Sequence, residues 1–179
     1  MNPTVPESGF TTSPKLAECG GGPIAAVTNP SAGTTQSSRD EVLGVLNELL
    51  EAERAGARVA MDTAREMPPS ALATLVQDIH KDEVRWCSML MRTIKDLQGT
   101  PSSATGAFWG KAMAIPDLEQ RLSFLNRGQA WVVRRLTALM PKIQDAQVRA
   151  DLAEMLEAHH KNIERVDART SIGPSAGPG

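Results

Sequence analysis

The chain has no tyrosine, three phenylalanines, three tryptophans and two cysteines among its 179 residues. Each shortage excludes something. Cys19 lies in a glycine-rich stretch and Cys87 within an apolar-periodic one, and neither has CxxC or Cys/His spacing. A disulfide framework and a zinc-finger type of site are therefore excluded, and a reducing, cytoplasmic location is the expectation. The net charge of −2 provides no field for nucleic acid or an acidic membrane. No basic stripe is interleaved with aromatics, no glycine loop is built to cradle phosphate, and no nucleophilic triad is visible. No apolar run approaches the roughly 20 residues of a membrane helix. The N-terminus has no basic region followed by an apolar one, so no secretory signal is expected. These absences favour a non-catalytic protein acting through an unidentified protein partner or as a homo-oligomer.

What is present favours helix. Ala, Leu, Glu and Arg dominate the middle of the chain. Residues 1–37 are rich in Gly, Pro, Ser, Thr and Asn, and read as a disordered tail. Their apolar patch, Ile24 to Val27, is too short to form an element alone. Residues 38–169 form one domain, able to bury about two-thirds of its unfolded surface. Residues 170–179 read as a second disordered tail.

Four long amphipathic helices fill the domain. The first opens on a capping box, Ser38 with Glu41, and ends before Pro68-Pro69. Its core-facing seam is Val42, Leu46, Leu49, Glu53, Gly56, Ala60 and Thr63. Arg54, Arg58 and Arg65 lie on its outer side, among Glu51 and Asp62, and read as a solvated face. The second runs from Ser70 to Gln98, with the seam Leu72, Val76, Ile79, Glu83, Trp86, Leu90, Ile94 and Leu97, and with Gly99 as its C′ residue. The third has Pro116 in its first turn and extends to Met140 through Leu118, Leu122, Leu125, Gln129, Val132, Leu136 and Leu139. The fourth is capped by Asp145 and runs to Ala168 through Val148, Leu152, Met155, His159, Asn162 and Val166. Residues 100–115 form a long connection between the second and third helices. It is anchored by Phe108 and Trp109, includes a short helix within 104–114, and suits a crossover along the bundle.

Each seam carries a polar residue near mid-height. The helix midpoints fall near positions 53, 84, 128 and 156, and the residues are Glu53, Glu83, Gln129 and His159. In a four-helix bundle the midpoints are level whichever way each helix runs, so four polar side chains should meet in one central layer. A buried carboxylate is costly unless it is paired or bound to a metal. Two carboxylates, an imidazole and an amide suit iron, manganese or zinc. They also suit a metal-free hydrogen-bonded network.

The segments EAERAGAR, DEVRWC, ATGAFWGKAMAI and LNRGQAWVV, with the helix lengths and long connection, resemble the ferritin-like superfamily, which includes rubrerythrins. They are closest to a bacterial ferritin-like family of unknown function. The resemblance covers Val42 to Val166 and implies an all-α ferritin-like four-helix bundle. Ferritin-like di-iron proteins place one Glu on each of two helices and Glu-x-x-His on each of the other two. By that pattern Glu53, Glu83 and His159 are retained. Trp86 stands at a histidine position, Gln129 at a glutamate position, and Leu156 three residues before His159. With three of six ligands missing, the resemblance implies a degenerate site: no metal, or one Fe, Mn or Zn ion, with a redox or oxidative-stress role as the alternative to a structural one. The other literal motif, Glu157-x-x-His160, points away from the seam.

Overall fold

Five α-helices make up the described part of the computed structural model, residues 30–170, with side chains described from Ser38 to Arg169. They are α1 (Pro30–Glu66), α2 (Ala71–Asp96), α3 (Phe108–Met113), α4 (Leu118–Leu139) and α5 (Ala146–Thr170). The anticipated seams are buried, apart from partly exposed Leu72, Leu97, Leu118 and Val148. Cys19 and the Ile24–Val27 patch lie outside the described residues.

Cross-helix contacts fix the topology. On α1 and α4, Glu66 pairs with Arg121 and Glu48 with Arg135, and Glu41 pairs with Lys142 just beyond the end of α4. Numbers that rise along one helix fall along the other, so the two are antiparallel. On α2 and α5, Asp78 pairs with Arg165, Asp82 with Asn162, and Arg85 with Glu154, again antiparallel. Arg39–Leu97 and Ala57–His80 contacts make α1 and α2 antiparallel. Asn126 of α4 bonds to Ile163 and Asp167 of α5, and the three pairings above make those two helices antiparallel as well. It follows that α2 and α4 are parallel, and the chain between them must travel the length of the bundle.

Several boundaries differ from the sequence expectation. The first helix continues N-terminally to Pro30, so Ser38 is not its N-cap and residues 30–37 are helical. A local capping signal is weaker than the chance to extend a long helix, and proline is tolerated in a first turn. Pro116 lies just outside α4, whose cap is Asp117: its side chain accepts from Gln120 N at 2.8 Å. Asp145 caps α5 as expected, accepting from Val148 N, and Ser70 caps α2 by accepting from Ala73 N.

The outer face of α1 is not simply solvated. Asn47, Glu51, Arg54, Arg58 and Asp62, at steps of three and four, hold the crossover. Asn47 accepts from Ser102 N at 2.6 Å, and Glu51 accepts the Ser102 hydroxyl. Arg54 donates to the carbonyls of Ser102 and Ala104. Arg58 lies 4.0 Å over the Trp109 ring, and Trp109 Nε1 donates to Asp62 at 2.9 Å. Only Arg65 is left to the exposed ion pair with Asp62.

The end of α2 also differs. Gln98 N bonds to Lys95 O at 2.7 Å and Gly99 N to Ile94 O at 2.8 Å, the two bonds of a Schellman motif. The C′ position therefore belongs to Gln98, with φ 57°, and not to Gly99. The Arg39 guanidinium completes the cap by donating to Leu97 O. A left-handed conformation costs a non-glycine residue about 1–2 kcal/mol. Gln98→Gly should accordingly stabilise the fold by about 1 kcal/mol in urea denaturation, whereas Gln98→Ala should not. Equal effects of the two would mean that the turn is not strained.

Candidate metal centre

The four mid-seam residues do meet. Glu53 is fully buried, and Glu83, Gln129 and His159 are 4%, 3% and 1% exposed. Ligand atoms of Glu53, Glu83 and His159 all lie within 4.8 Å of one another. The layer divides the core in two. Above it pack Leu46, Leu49, Trp86, Leu90, Leu136 and Met155. Below it pack Val59, Val76, Ile79, Leu122, Leu125 and Val166.

Two contacts orient the layer. His159 Nδ1 lies 2.9 Å from Met155 O. A carbonyl only accepts, so Nδ1 carries the proton, and in the neutral ring Nε2 presents its lone pair to the layer. Gln129 Nε2 donates to Glu83 Oε1 at 3.0 Å, which leaves Gln129 Oε1 facing inward. The remaining atoms are unpartnered: both Glu53 oxygens, Gln129 Oε1 and His159 Nε2 have no hydrogen bond. The His159 Nε2–Glu53 Oε1 separation is 3.4 Å, an ion-pair distance without hydrogen-bond geometry. Acceptors thus face acceptors in a buried layer, and a positive centre among them, a proton or a metal, would relieve the arrangement.

Gly56 makes room for this. A Cβ there would fall 2.7 Å from Glu83 Oε2, so the Glu83 carboxylate rests directly on the backbone of α1. The sequence placed Gly56 in the seam but gave no sign of this close approach.

Electrostatics follow from burial. Desolvation pushes Glu53 up to about 8, partly offset by its hydrogen bond with Glu83. Glu83 is raised well above the ordinary carboxyl range, first by desolvation and then by the Glu53 charge, with His159 opposing. While both are ionised no bond joins them; a proton on Glu83 creates a donor toward Glu53. Burial, then Glu53 and Glu83, push the Cys87 thiol up to about 12, and the opposing effect of Arg54 is smaller. Cys87 therefore has no thiolate character for redox work.

Other histidines and carboxylates on these helices stand apart from the layer. His80 is a boundary residue bonded to Ala57 O at 3.0 Å. Glu157 and His160 are exposed, and Glu157 pairs with Lys161. Trp86 and Leu156 both pack with the upper apolar cluster.

A four-helix bundle with this crossover has the ferritin-like fold. Solved structures agree. A ferritin-like, diiron-carboxylate protein from Bacillus anthracis superposes with a TM-score of 0.66 at 17% identity, over 74% of this chain and 97% of that one. A protein from Xanthomonas campestris superposes at 0.67 with 12% identity, over 75% and 91%. At such identities the likeness concerns the fold. No curated protein matches the sequence. Residues 40–168 match the family described as domain of unknown function DUF6306, and the chain belongs to that family.

The raised carboxyls set the sign of a pH effect in metal-free protein. Between the ordinary value of 4.5 and about 8, folded Glu53 keeps a proton that the unfolded chain has lost. The folded state binds more protons, so stability falls as pH rises through that window, by up to about 1.4 kcal/mol per pH unit for one carboxyl. Glu83 adds in the same direction. Urea denaturation of chelated protein from pH 5 to 8 should show this decline, flattened in Glu53→Gln. A flat wild-type profile would mean that the carboxyls are ionised and otherwise compensated.

Proposed function

We propose that the layer binds a single metal ion, iron, manganese or zinc, and that the protein is a mononuclear relative of the ferritin-like metal proteins. The observation that carries this reading is the convergence of Glu53, Glu83 and His159 with buried acceptor atoms left unpartnered. Glu53, Glu83 and His159 Nε2 would hold the ion, with Gln129 Oε1 available as a neutral fourth donor. That set is hard to borderline. A bound iron or manganese ion supplies redox or oxygen chemistry, and zinc supplies Lewis acidity.

The chain's own residues prepare the site in separable ways. Met155 O fixes the His159 tautomer, the arrangement typical of a ligating imidazole. Gln129 holds the Glu83 carboxylate in place by donating to one oxygen. Gly56 leaves space for the other. The apolar clusters flank the layer above and below.

A second reading has its own support. The Gln129–Glu83 bond is a metal-free contact, and a protonated layer bridged this way would serve helix register in a structural or partner-binding protein. One measurement separates the two. A metal that binds only folded protein stabilises it by about 2.7 kcal/mol at a hundredfold excess over its Kd. Chelated protein should therefore melt several degrees higher with at least one of iron(II), manganese(II) or zinc(II). The shift should vanish in both Glu53→Gln and His159→Ala, and shrink in Gly56→Ala, which pushes Glu83 aside. Elemental analysis should find one equivalent per chain. No shift with any ion would leave the second reading, and two equivalents would refute the mononuclear count.

A further inference from the structure

A cavity of about 560 Å³ opens between α1, α3 and α4 and reaches the polar layer. Its buried end is made by Gly56, Glu83 and Gln129. Its walls include Phe108, Phe124, Trp131 and Val132. This size, with mostly apolar walls and a few polar groups, matches a small-molecule site. The aromatic content is not incidental. The chain has only six aromatic residues, three Phe and three Trp, and three of them line this one cavity. The walls are fixed: Phe108 and Phe124 stack with ring centroids 4.8 Å apart, and the crossover that carries Phe108 is tied to α1 through Arg54, Arg58 and Asp62.

The mouth has a sign. Lys111, Arg127 and Arg134 line it, all exposed, and none has a carboxylate partner among the described residues. Its two carboxylates are engaged elsewhere, Glu48 with Arg135 and Glu51 with the Ser102 hydroxyl. Three cations without a carboxylate partner, Arg127 among them with its guanidinium 5.2 Å over the Phe124 ring, stand at the entrance of an aromatic-lined cavity and select an organic anion with a flat apolar body. We infer that the cavity binds an aromatic carboxylate, its charged end at Lys111, Arg127 and Arg134 and its ring against Trp131 and the edge of the stacked Phe108–Phe124 pair, directed toward Glu83 and Gln129. Binding rests on the cavity alone; that the ligand is a substrate of the central site rests on the mononuclear metal reading.

The test is calorimetric titration of the full chain, after chelation, with 2-naphthoate and with the neutral 2-naphthalenemethanol. Naphthoate should bind one to one with Kd below about 1 mM, and the alcohol at least about tenfold more weakly. Arg127→Glu with Arg134→Glu, on the exposed rim, should weaken naphthoate by about tenfold or more and leave the alcohol within about twofold. Ala52→Leu, which adds bulk to the cavity wall, should weaken both while the melting temperature shows the fold intact. Equal affinities for acid and alcohol, no saturable naphthoate binding, or binding indifferent to Ala52→Leu would each overturn the proposal. Because the protein is chelated, failure of this titration leaves the metal-dependent melting shift standing, and loss of that shift leaves the naphthoate result standing.

Discussion

Everything at the centre of this bundle depends on one electrostatic mismatch: buried acceptor atoms point at one another. Both Glu53 oxygens, His159 Nε2 and Gln129 Oε1 have no hydrogen-bond donor. An unsatisfied buried polar group costs about 1–3 kcal/mol and a charged one more, so a layer of four would be expected to be selected out of a purely structural core. The surrounding structure instead enforces it. The Met155 carbonyl holds the imidazole in the tautomer that keeps Nε2 bare, and Gly56 gives Glu83 a seat on the α1 backbone despite a helix penalty of about 0.5–1 kcal/mol for glycine. Features that are individually unfavourable converge on one buried point, where a retained carboxyl proton or a bound cation would relieve the mismatch.

The remaining architecture serves to keep that layer level. Antiparallel pairing of α1 with α2 and α4, and of α5 with α2 and α4, makes the mid-heights coincide. It also forces α2 and α4 to be parallel, and so requires the crossover. The crossover is then used twice. Its extended part is clamped by Asn47, Glu51 and Arg54, while α3 puts Phe108 over α4 and Trp109 against Arg58 and Asp62. A connection needed for topology thereby becomes one wall of the cavity that leads to the layer.

Much of this was legible in the sequence, for a definable reason. Seams with a 3.6-residue period identify the four long helices, and a polar residue in each seam identifies the layer, because both signals are repeated along each helix. What was not legible depends on single contacts between distant segments. The stripe Asn47–Glu51–Arg54–Arg58–Asp62 has the same three-and-four spacing as a solvated face, and only the crossover's position shows that it is a clamp. Gln98 lies beside a glycine that is the obvious left-handed residue, yet the second Schellman bond, from Gly99 N to Ile94 O, places Gln98 at C′. The role of Gly56 depends on the reach of Glu83 from another helix. The cavity arises from residues on four helices, and no local pattern encodes it.

The departures from the six-ligand arrangement also bear on how many ions the layer suits. Trp86, where a histidine would stand, is 2% exposed and packed in the upper apolar cluster, and Leu156 packs against the same cluster. Apolar volume thus occupies the side from which further ligands would come. Charge leads to the same count. Glu53 and Glu83 are the carboxylates of the layer, and His159 and Gln129 bring neutral donors. One divalent ion makes the set neutral, which a low-dielectric interior favours; two would leave two positive charges without counterions, and an uncompensated buried charge costs several kcal/mol. Glutamate at the Gln129 position would supply part of that deficit, but the amide now holds Glu83 by a hydrogen bond that a second carboxylate would replace with repulsion. The three residues are consistent with a single-ion reading: Trp86 and Leu156 fill their positions with apolar volume, and Gln129 holds Glu83.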